Sequence, residues 1–192
     1  VVHEESVEEQ GEAPGLCKDV VAAAQLRGLS LDRAILGEGG CGVVRRAVHG
    51  PSGLLYAVKS ASRAGEEETL CHEVDMLTGL VHPRICGLAD KFFVSEQLFL
   101  VFEFCAGGDL FDYLGSCGGY LEDAEAAHHI GQLLDAVAYL HEQDIVHCDI
   151  KPENLLLETS APCSLMKLAD FGIARRCAAG AWCCETVGSP PY

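Results

Sequence analysis

IVHCDIKPENLLL, residues 145–157, is the stretch on which the reading of this chain turns. Two apolar runs, Ile145-Val146 and Leu155-Leu156-Leu157, bracket a polar loop that holds an acid, a lysine and an amide at fixed offsets. Asp149 can accept a proton from a hydroxyl, Lys151 two residues on can reach a transferred phosphoryl group, and Asn154 can ligate a magnesium ion. Taken singly, an Asp in a loop is a solvated carboxylate. The spacing Asp-x-Lys-x-x-Asn, followed by a short β-like run and then by Asp170-Phe171-Gly172, points instead to groups arranged for one chemistry.

Together these motifs resemble the catalytic loop and the metal-binding motif of protein kinases, and Lys151-Pro152-Glu153 resembles the Ser/Thr branch rather than the tyrosine branch. The resemblance implies an α+β, two-lobed fold. A β-rich small lobe would occupy residues 29–104, and the first part of a helical large lobe, with the catalytic loop and the start of the activation segment, residues 105–192. It further implies an enzyme that moves the γ-phosphoryl group of ATP, with Mg²⁺, to Ser/Thr hydroxyls of protein substrates. The chain looks most like the calcium/calmodulin-dependent group. No EF-hand loop of the Asp-x-Asp-x-Asp-Gly type is present, so calcium dependence finds no support within the chain.

Bulk properties agree. At 192 residues the chain can bury one core, and 49% hydrophobic with 22% charged residues describes a globular protein. No apolar run reaches the roughly 18 residues of a membrane helix. A formal charge of −16 argues against nucleic acid and favours basic partners. Eleven cysteines without a Cys-x-x-Cys pair read as free thiols in a reducing, cytoplasmic setting. Residues 1–15 hold five Glu and no Lys or Arg, with no apolar signal-peptide core, and read as an acidic disordered tail. Within the remainder of 1–28, Leu16 to Arg27 can form a short helix favoured by Ala22-Ala23-Ala24.

The small lobe is then read in order. Leu29 to Leu36 leads into Gly37-Glu38-Gly39-Gly40-Cys41-Gly42, where three glycines at G-x-G-x-x-G let backbone approach phosphates. A dinucleotide fingerprint has the same spacing but needs a helix immediately after it. Here the β-branched run Val43–Val48 follows and turns at Gly50-Pro51-Ser52-Gly53, which favours a hairpin lid. The next strand ends in Lys59, which resembles the lysine that holds the α- and β-phosphates. Its carboxylate partner would be Glu73, on a helix read over Thr69–Leu80 from the stripe Leu70, Val74, Met76, Leu77 and Leu80. Glu66, Glu67 and Glu68 are rival partners, otherwise a solvated helix start, and the loop from Lys59 to Glu73 is short for the family. After the His82-Pro83 turn, Leu88–Val94 and Leu98–Phe104 read as paired strands.

The resemblance implies a nucleotide site of Leu36, Gly37, Glu38, Gly39, Gly40, Cys41, Gly42, Val44, Ala57, Lys59, Leu156, Asp109 and the hinge residues Glu103 and Cys105. The hinge backbone would bond adenine, Phe102 would close the back of the pocket, and Asp109 would reach the ribose or a basic substrate side chain. Asp149, Lys151, Lys59 and Glu73 would be catalytic, with Asn154 and Asp170 on the metal. Leu77, Leu88, His147 and Phe171 would tie the helix bearing Glu73 to the catalytic loop. Ala124–Gln143 reads as a helix with a core stripe of Ile130, Leu133, Leu134, Val137 and Leu140. His128, His129 and His141 on it lack supporting metal-ligand spacing.

Some features depart from the family. The usual His-Arg-Asp is His147-Cys148-Asp149, and a Cys cannot pair bidentately with an activation-loop phosphate. With Glu185 beside Thr186, activity that needs no phosphorylation is expected, while Ser189 resembles the Ser/Thr-type substrate loop. Substrates with basic residues near the acceptor are expected from Asp109, Glu153 and the acidic charge. Both ends look cut: residue 1 is Val, and the Ala-Pro-Glu anchor and later helices would follow Tyr192. The competing class is a non-catalytic kinase-like scaffold. It is opposed by retention of Lys59, Glu73, Asp149, Asn154 and Asp170.

Overall fold

The sequence QLFLVFE gives its strand no polar face, so the sheet that contains it must be covered on both sides. The computed structural model describes residues 16–39, 42–61 and 65–178. It places this strand, β5 (Gln97–Glu103), in a five-stranded antiparallel sheet ordered β1-β2-β3-β5-β4, with β1 (Leu29–Gly39), β2 (Gly42–His49), β3 (Leu55–Ser60) and β4 (Leu88–Val94). Successive side chains of a strand face opposite ways. Leu98, Leu100 and Phe102 therefore enter the main core with Leu70, Leu77 and Phe171. Phe99 and Val101 enter a second core on the outer face, with Ala47, Val58 and Phe92.

That outer core is closed by α1 (Lys18–Gln25), through Val20 and Ala24. The short helix expected from the alanine run is thus present and covers the sheet. Arg27, just past its end, pairs with Asp90 at 3.2 Å and lies 4.7 Å over the Phe92 ring, which stacks on Phe99 at 5.0 Å. Each such buried Phe contributes about 1.5–3 kcal/mol relative to exposure.

Helix α2 runs over Glu66–Leu77, earlier at both ends than the expected Thr69–Leu80. It starts at Gly65, whose φ of 92° is the left-handed conformation glycine tolerates, and its first turn holds Glu66, Glu67 and Glu68 against the positive end of the helix dipole. Glu66 corrects the expectation of a solvated start, because it belongs to the buried face with Leu70, Glu73, Val74 and Leu77. Leu80 lies beyond the helix, still packed against the core.

The large lobe begins with α3 (Leu110–Ser116) and α4 (Asp123–Glu142). Short strands follow: β6 (Ile145–Val146), β7 (Leu155–Leu157), β8 (Met166–Leu168) and β9 (Arg175–Arg176), with a 3-10 turn at Pro152–Asn154. β7 pairs with β8 and β6 with β9, so the loop between β6 and β7 is pinned at both ends. Behind β5 backbone bonds join the chain to this lobe: Ala106 N to Glu158 O at 3.2 Å, Gly107 N to Leu157 O at 2.9 Å and Leu157 N to Gly108 O at 2.8 Å.

The stripe expected on α4 holds at Leu140, which is buried, and at Leu133, which packs against the core. It needs correction at Ile130 and Leu134, which are 54% and 61% exposed while His129, Gln132 and Ala136 are buried. The reason is the edge of β8. Gln132 accepts from Met166 N at 2.9 Å and donates to Ser164 O at 3.1 Å, so an amide, rather than a hydrocarbon, is what this helix face needs. The expectations for residues 1–15, Gly40, Cys41, Glu185, Thr186 and Ser189 lie outside the described residues.

Candidate active site

Strand parity delivers the first group. Val58 points to the outer core, so Ala57 and Lys59 on either side of it point inward, toward the space between the lobes. Lys59 Nζ lies 2.7 Å from Glu73 Oε2 and 3.1 Å from Asp170 Oδ1. Glu73 is 1% exposed, and its other oxygen, Oε1, accepts from Phe171 N at 3.2 Å. Burial pushes the Glu73 carboxyl up, and Lys59 opposes that shift. The short connection between Lys59 and Glu73 does not prevent the pair from forming.

The segment after β8 is held from several sides. Leu168 N donates to Arg84 O and Cys86 N donates to Leu168 O, both at 2.9 Å, which docks β8 against the turn after α2. His72 Nε2 lies 2.7 Å from Ala174 O, joining α2 to the residues beyond Asp170. Asp170 itself has φ 64°. Phe171 is fully buried, with its ring 4.9 Å from that of His147.

His147 organises the loop between β6 and β7. Its Nε2 lies 3.0 Å from Ala169 O and its Nδ1 3.3 Å from Asp149 N. A carbonyl needs a donor and an amide N–H needs an acceptor, so the partners assign a neutral ring protonated on Nε2. Burial lowers the His147 pKa, in keeping with that form. Asp149 Oδ2 then receives Lys151 Nζ at 2.8 Å and Asn154 Nδ2 at 3.1 Å, and Asn154 Nδ2 also reaches Asp149 O at 2.8 Å. The hydrogen bond to Asp149 holds Lys151 above its ordinary pKa. Because the Asn154 amide nitrogen faces Asp149, the amide oxygen is the atom it would offer to a metal. Together with the Asp170 carboxylate it would offer oxygen donors, the kind a hard divalent cation takes.

The remaining residues expected from the sequence are less tightly gathered. Val44, Ala57 and Leu156 are half-buried, while Leu36, Gly37 and Glu38 are exposed along β1. Asp109 caps α3, its Oδ1 accepting from Asp112 N at 2.8 Å, so one of its two oxygens is committed to structure. The Glu103 side chain binds away from any base, to Gly87 N at 2.7 Å and Lys167 Nζ at 2.9 Å. Lys167, which sequence reasoning did not single out, also lies 3.6 Å from Glu158. Burial works against its charge, but these carboxylates outweigh it and hold its pKa above the ordinary value. Cys148 adopts φ 66°, and its thiol lies 3.5 Å from Val146 O.

A family model described as the protein kinase domain matches residues 31–192. The chain belongs to the protein kinase domain family. It is 39% identical over 140 residues to the calcium/calmodulin-dependent protein kinase type IV of Homo sapiens, covering 73% of this chain and 29% of that relative. It is 42% identical over 142 residues to a calcium/calmodulin-dependent protein kinase of Metarhizium anisopliae, covering 73% and 37%. To the type II enzyme of Caenorhabditis elegans it is 41% identical over 143 residues, covering 72% and 20%. The chain therefore spans little more than a third of these relatives at most. Among the described residues no helix is long and apolar enough to cross a membrane.

Proposed function

We propose that this chain carries the phosphoryl-transfer site of a protein serine/threonine kinase that uses ATP and Mg²⁺. The observation that supports this reading most is the pair of contact runs Glu73–Lys59–Asp170 and Lys151–Asp149–Asn154, both reached from the loop around His147. On this reading Lys59, held by Glu73, binds the α- and β-phosphates. Asp170 and the Asn154 amide oxygen hold Mg²⁺, which when bound supplies charge neutralisation at the phosphates. Asp149 orients the attacking hydroxyl and takes its proton at a carboxylate oxygen, while Lys151 offers its ammonium to the transferring group. Residues Leu36 to Gly42, Val44, Ala57 and Leu156 enclose the nucleotide, and the backbone of Glu103 and Cys105 bonds adenine. Asp109 keeps Oδ2 for the ribose or for a basic side chain of the substrate.

The relatives are calcium/calmodulin-dependent kinases, which supports Ser/Thr hydroxyls of proteins as acceptors and an intracellular setting. The scaffold alternative is disfavoured, because a binding module has no need for an ion pair at 2.7 Å aimed at a metal-type aspartate. Basic residues before the acceptor are proposed from Asp109, Glu153 and the charge of −16. Cys148 supports activity without activation-segment phosphorylation. The full-length protein tests the central reading. Asp149→Asn should keep ATP affinity and lose phosphotransfer by about 10²–10⁴-fold, since proton transfer and orientation act only on the chemical step. Asp170→Ala should lose the Mg²⁺ dependence of ATP binding. Normal turnover in that second variant would remove the metal assignment.

A further inference from the structure

Met166 and Leu168 enter the main core, so Lys167 between them on β8 points to the other side, the side that Leu156 faces from across the β7–β8 pair. There it is 9% exposed, and its ammonium reaches three other segments. Nζ lies 2.9 Å from Glu103 Oε2, 3.3 Å from Pro83 O and 3.6 Å from Glu158 Oε1. Those contacts join β8 to the last residue of β5, to the turn after α2 and to the residue after β7. Glu103 is itself tied twice to Gly87: its N donates to Gly87 O at 3.3 Å and its Oε1 accepts from Gly87 N at 2.7 Å. The residue is thus held from the small lobe by Gly87 and from the large lobe by Lys167. Apolar side chains fill a buried position at least as well as an ion pair does, so stability alone does not call for a lysine here.

We propose that Lys167 is a positioning residue for nucleotide recognition, fixing Glu103 so that its backbone meets the adenine edge, a role that rests on the hinge reading given above. Lys167 touches neither nucleotide nor substrate and acts only through the Glu103 carboxylate. The edge of adenine that carries the 6-amino group offers a donor beside a ring-nitrogen acceptor, which a backbone C=O and N–H can match. Such paired bonds tolerate little displacement, because a contact stretched to about 3.6 Å or strongly bent no longer counts as a hydrogen bond. A cation seated on β8 fixes Glu103 relative to Leu156, the neighbouring residue that encloses the base on the same reading, so the two walls keep their spacing. Glu158 is farther from the ammonium and lies outside the segment that meets the base, so it shares the charge without steering Glu103.

The test compares the full-length protein with Lys167→Met, Glu103→Gln and Glu158→Gln. Calorimetry measures the binding of ADP with Mg²⁺ beside that of purine riboside diphosphate, which has the same sugar and phosphates but lacks the 6-amino group. The unmodified protein should prefer ADP. Lys167→Met should lose ADP affinity by about tenfold, the scale of one charge-assisted hydrogen bond, and bind the analogue almost as before. In ATP kinetics the loss should appear in KM more than in kcat. Methionine removes a buried cation and leaves two carboxylates that are 37% and 40% exposed, so no buried charge is orphaned. Glu103→Gln keeps an amide oxygen for Gly87 N but loses the ion pair, and should repeat the effect, which decides the matter if Lys167→Met does not fold. Glu158→Gln, which removes the other carboxylate of the same lysine, should keep the preference for ADP. An unchanged preference in Lys167→Met and Glu103→Gln, an equal loss for both diphosphates, or the same loss in Glu158→Gln would overturn the proposal and leave the hinge reading standing. An unmodified protein that binds the two diphosphates alike would overturn both.

Discussion

Glu73 engages both of its carboxylate oxygens, one on Lys59 and one on the Phe171 amide, so a single side chain sets the position of a charge and of a backbone. Its removal should be costly, because the buried Lys59 ammonium loses the nearer of its two carboxylate partners and the Phe171 amide loses its acceptor. Glu73→Ala is expected to lower the unfolding free energy by on the order of 3–5 kcal/mol in denaturant titration. Replacing both partners with apolar residues, as in Lys59→Met with Glu73→Leu, should restore much of that stability while phosphotransfer stays lost. Equal loss in the single and double variants would show that the pair is not the origin of the effect. His147 gives a prediction in pH. Burial depresses its folded-state pKa below the unfolded value of roughly 6.5, so below that pH the unfolded chain binds the extra proton. Stability should therefore fall on acidification from about pH 7.5 through about pH 6, and His147→Asn should flatten that slope in a thermal-melt series, whatever its absolute stability. Every residue of the two contact runs was legible in the sequence: Asp149, Lys151 and Asn154 from the spacing of their loop, Lys59 and Glu73 from the strand after the glycine hairpin and the helix stripe, and Asp170 from Asp170-Phe171-Gly172. Lys167 and His72 were not, because their partners Glu103 and Ala174 lie far along the chain and no local pattern marks them.

At the scale of elements, α1 and α4 teach opposite lessons. The alanine run predicted a helix near Leu16–Arg27, but only β5, buried on both faces, explains why one is needed there. Val20→Asp should undock α1, seen as faster amide exchange in Lys18–Gln25 and a lower melting temperature. Arg27→Ala, which removes a partly exposed ion pair and a cation–ring contact, should cost only about 1 kcal/mol. If Val20→Asp leaves exchange in α1 and in β4 unchanged, the helix does not cover the sheet. On α4 the apolar period located the helix and placed Leu133 and Leu140 correctly, but set Ile130 and Leu134 on the inner side in place of His129 and Gln132. Hydropathy ranks Ile130 and Leu134 above His129 and Gln132, yet it is Gln132 that satisfies the backbone at Ser164 and Met166. A buried hydrogen-bonding demand made by another element cannot be read from the helix that meets it.

At the scale of the molecule, the two-lobed α+β arrangement was legible because its motifs occur in the order in which the fold needs them, from the glycine hairpin to Asp170. What the motifs did not carry is how closely the two lobes approach behind β5. The backbone bonds around Gly107 leave no room for a side chain: a Cβ there would stand 2.3 Å from Thr159 O and 2.8 Å from Leu157 Cβ. Those neighbours are a backbone oxygen and a strand residue, neither free to swing aside. Gly107→Ala should therefore act on the angle between the lobes, measurable as a longer distance between dyes placed at β1 and α4, with the ATP affinity falling alongside. An unchanged distance would mean that the loop after β7 yields instead. A methyl group at this position is a wedge set at a pivot: the gap it forces is small where it sits and grows with distance from it, so the glycine lid, at the far end of the lever, would move most.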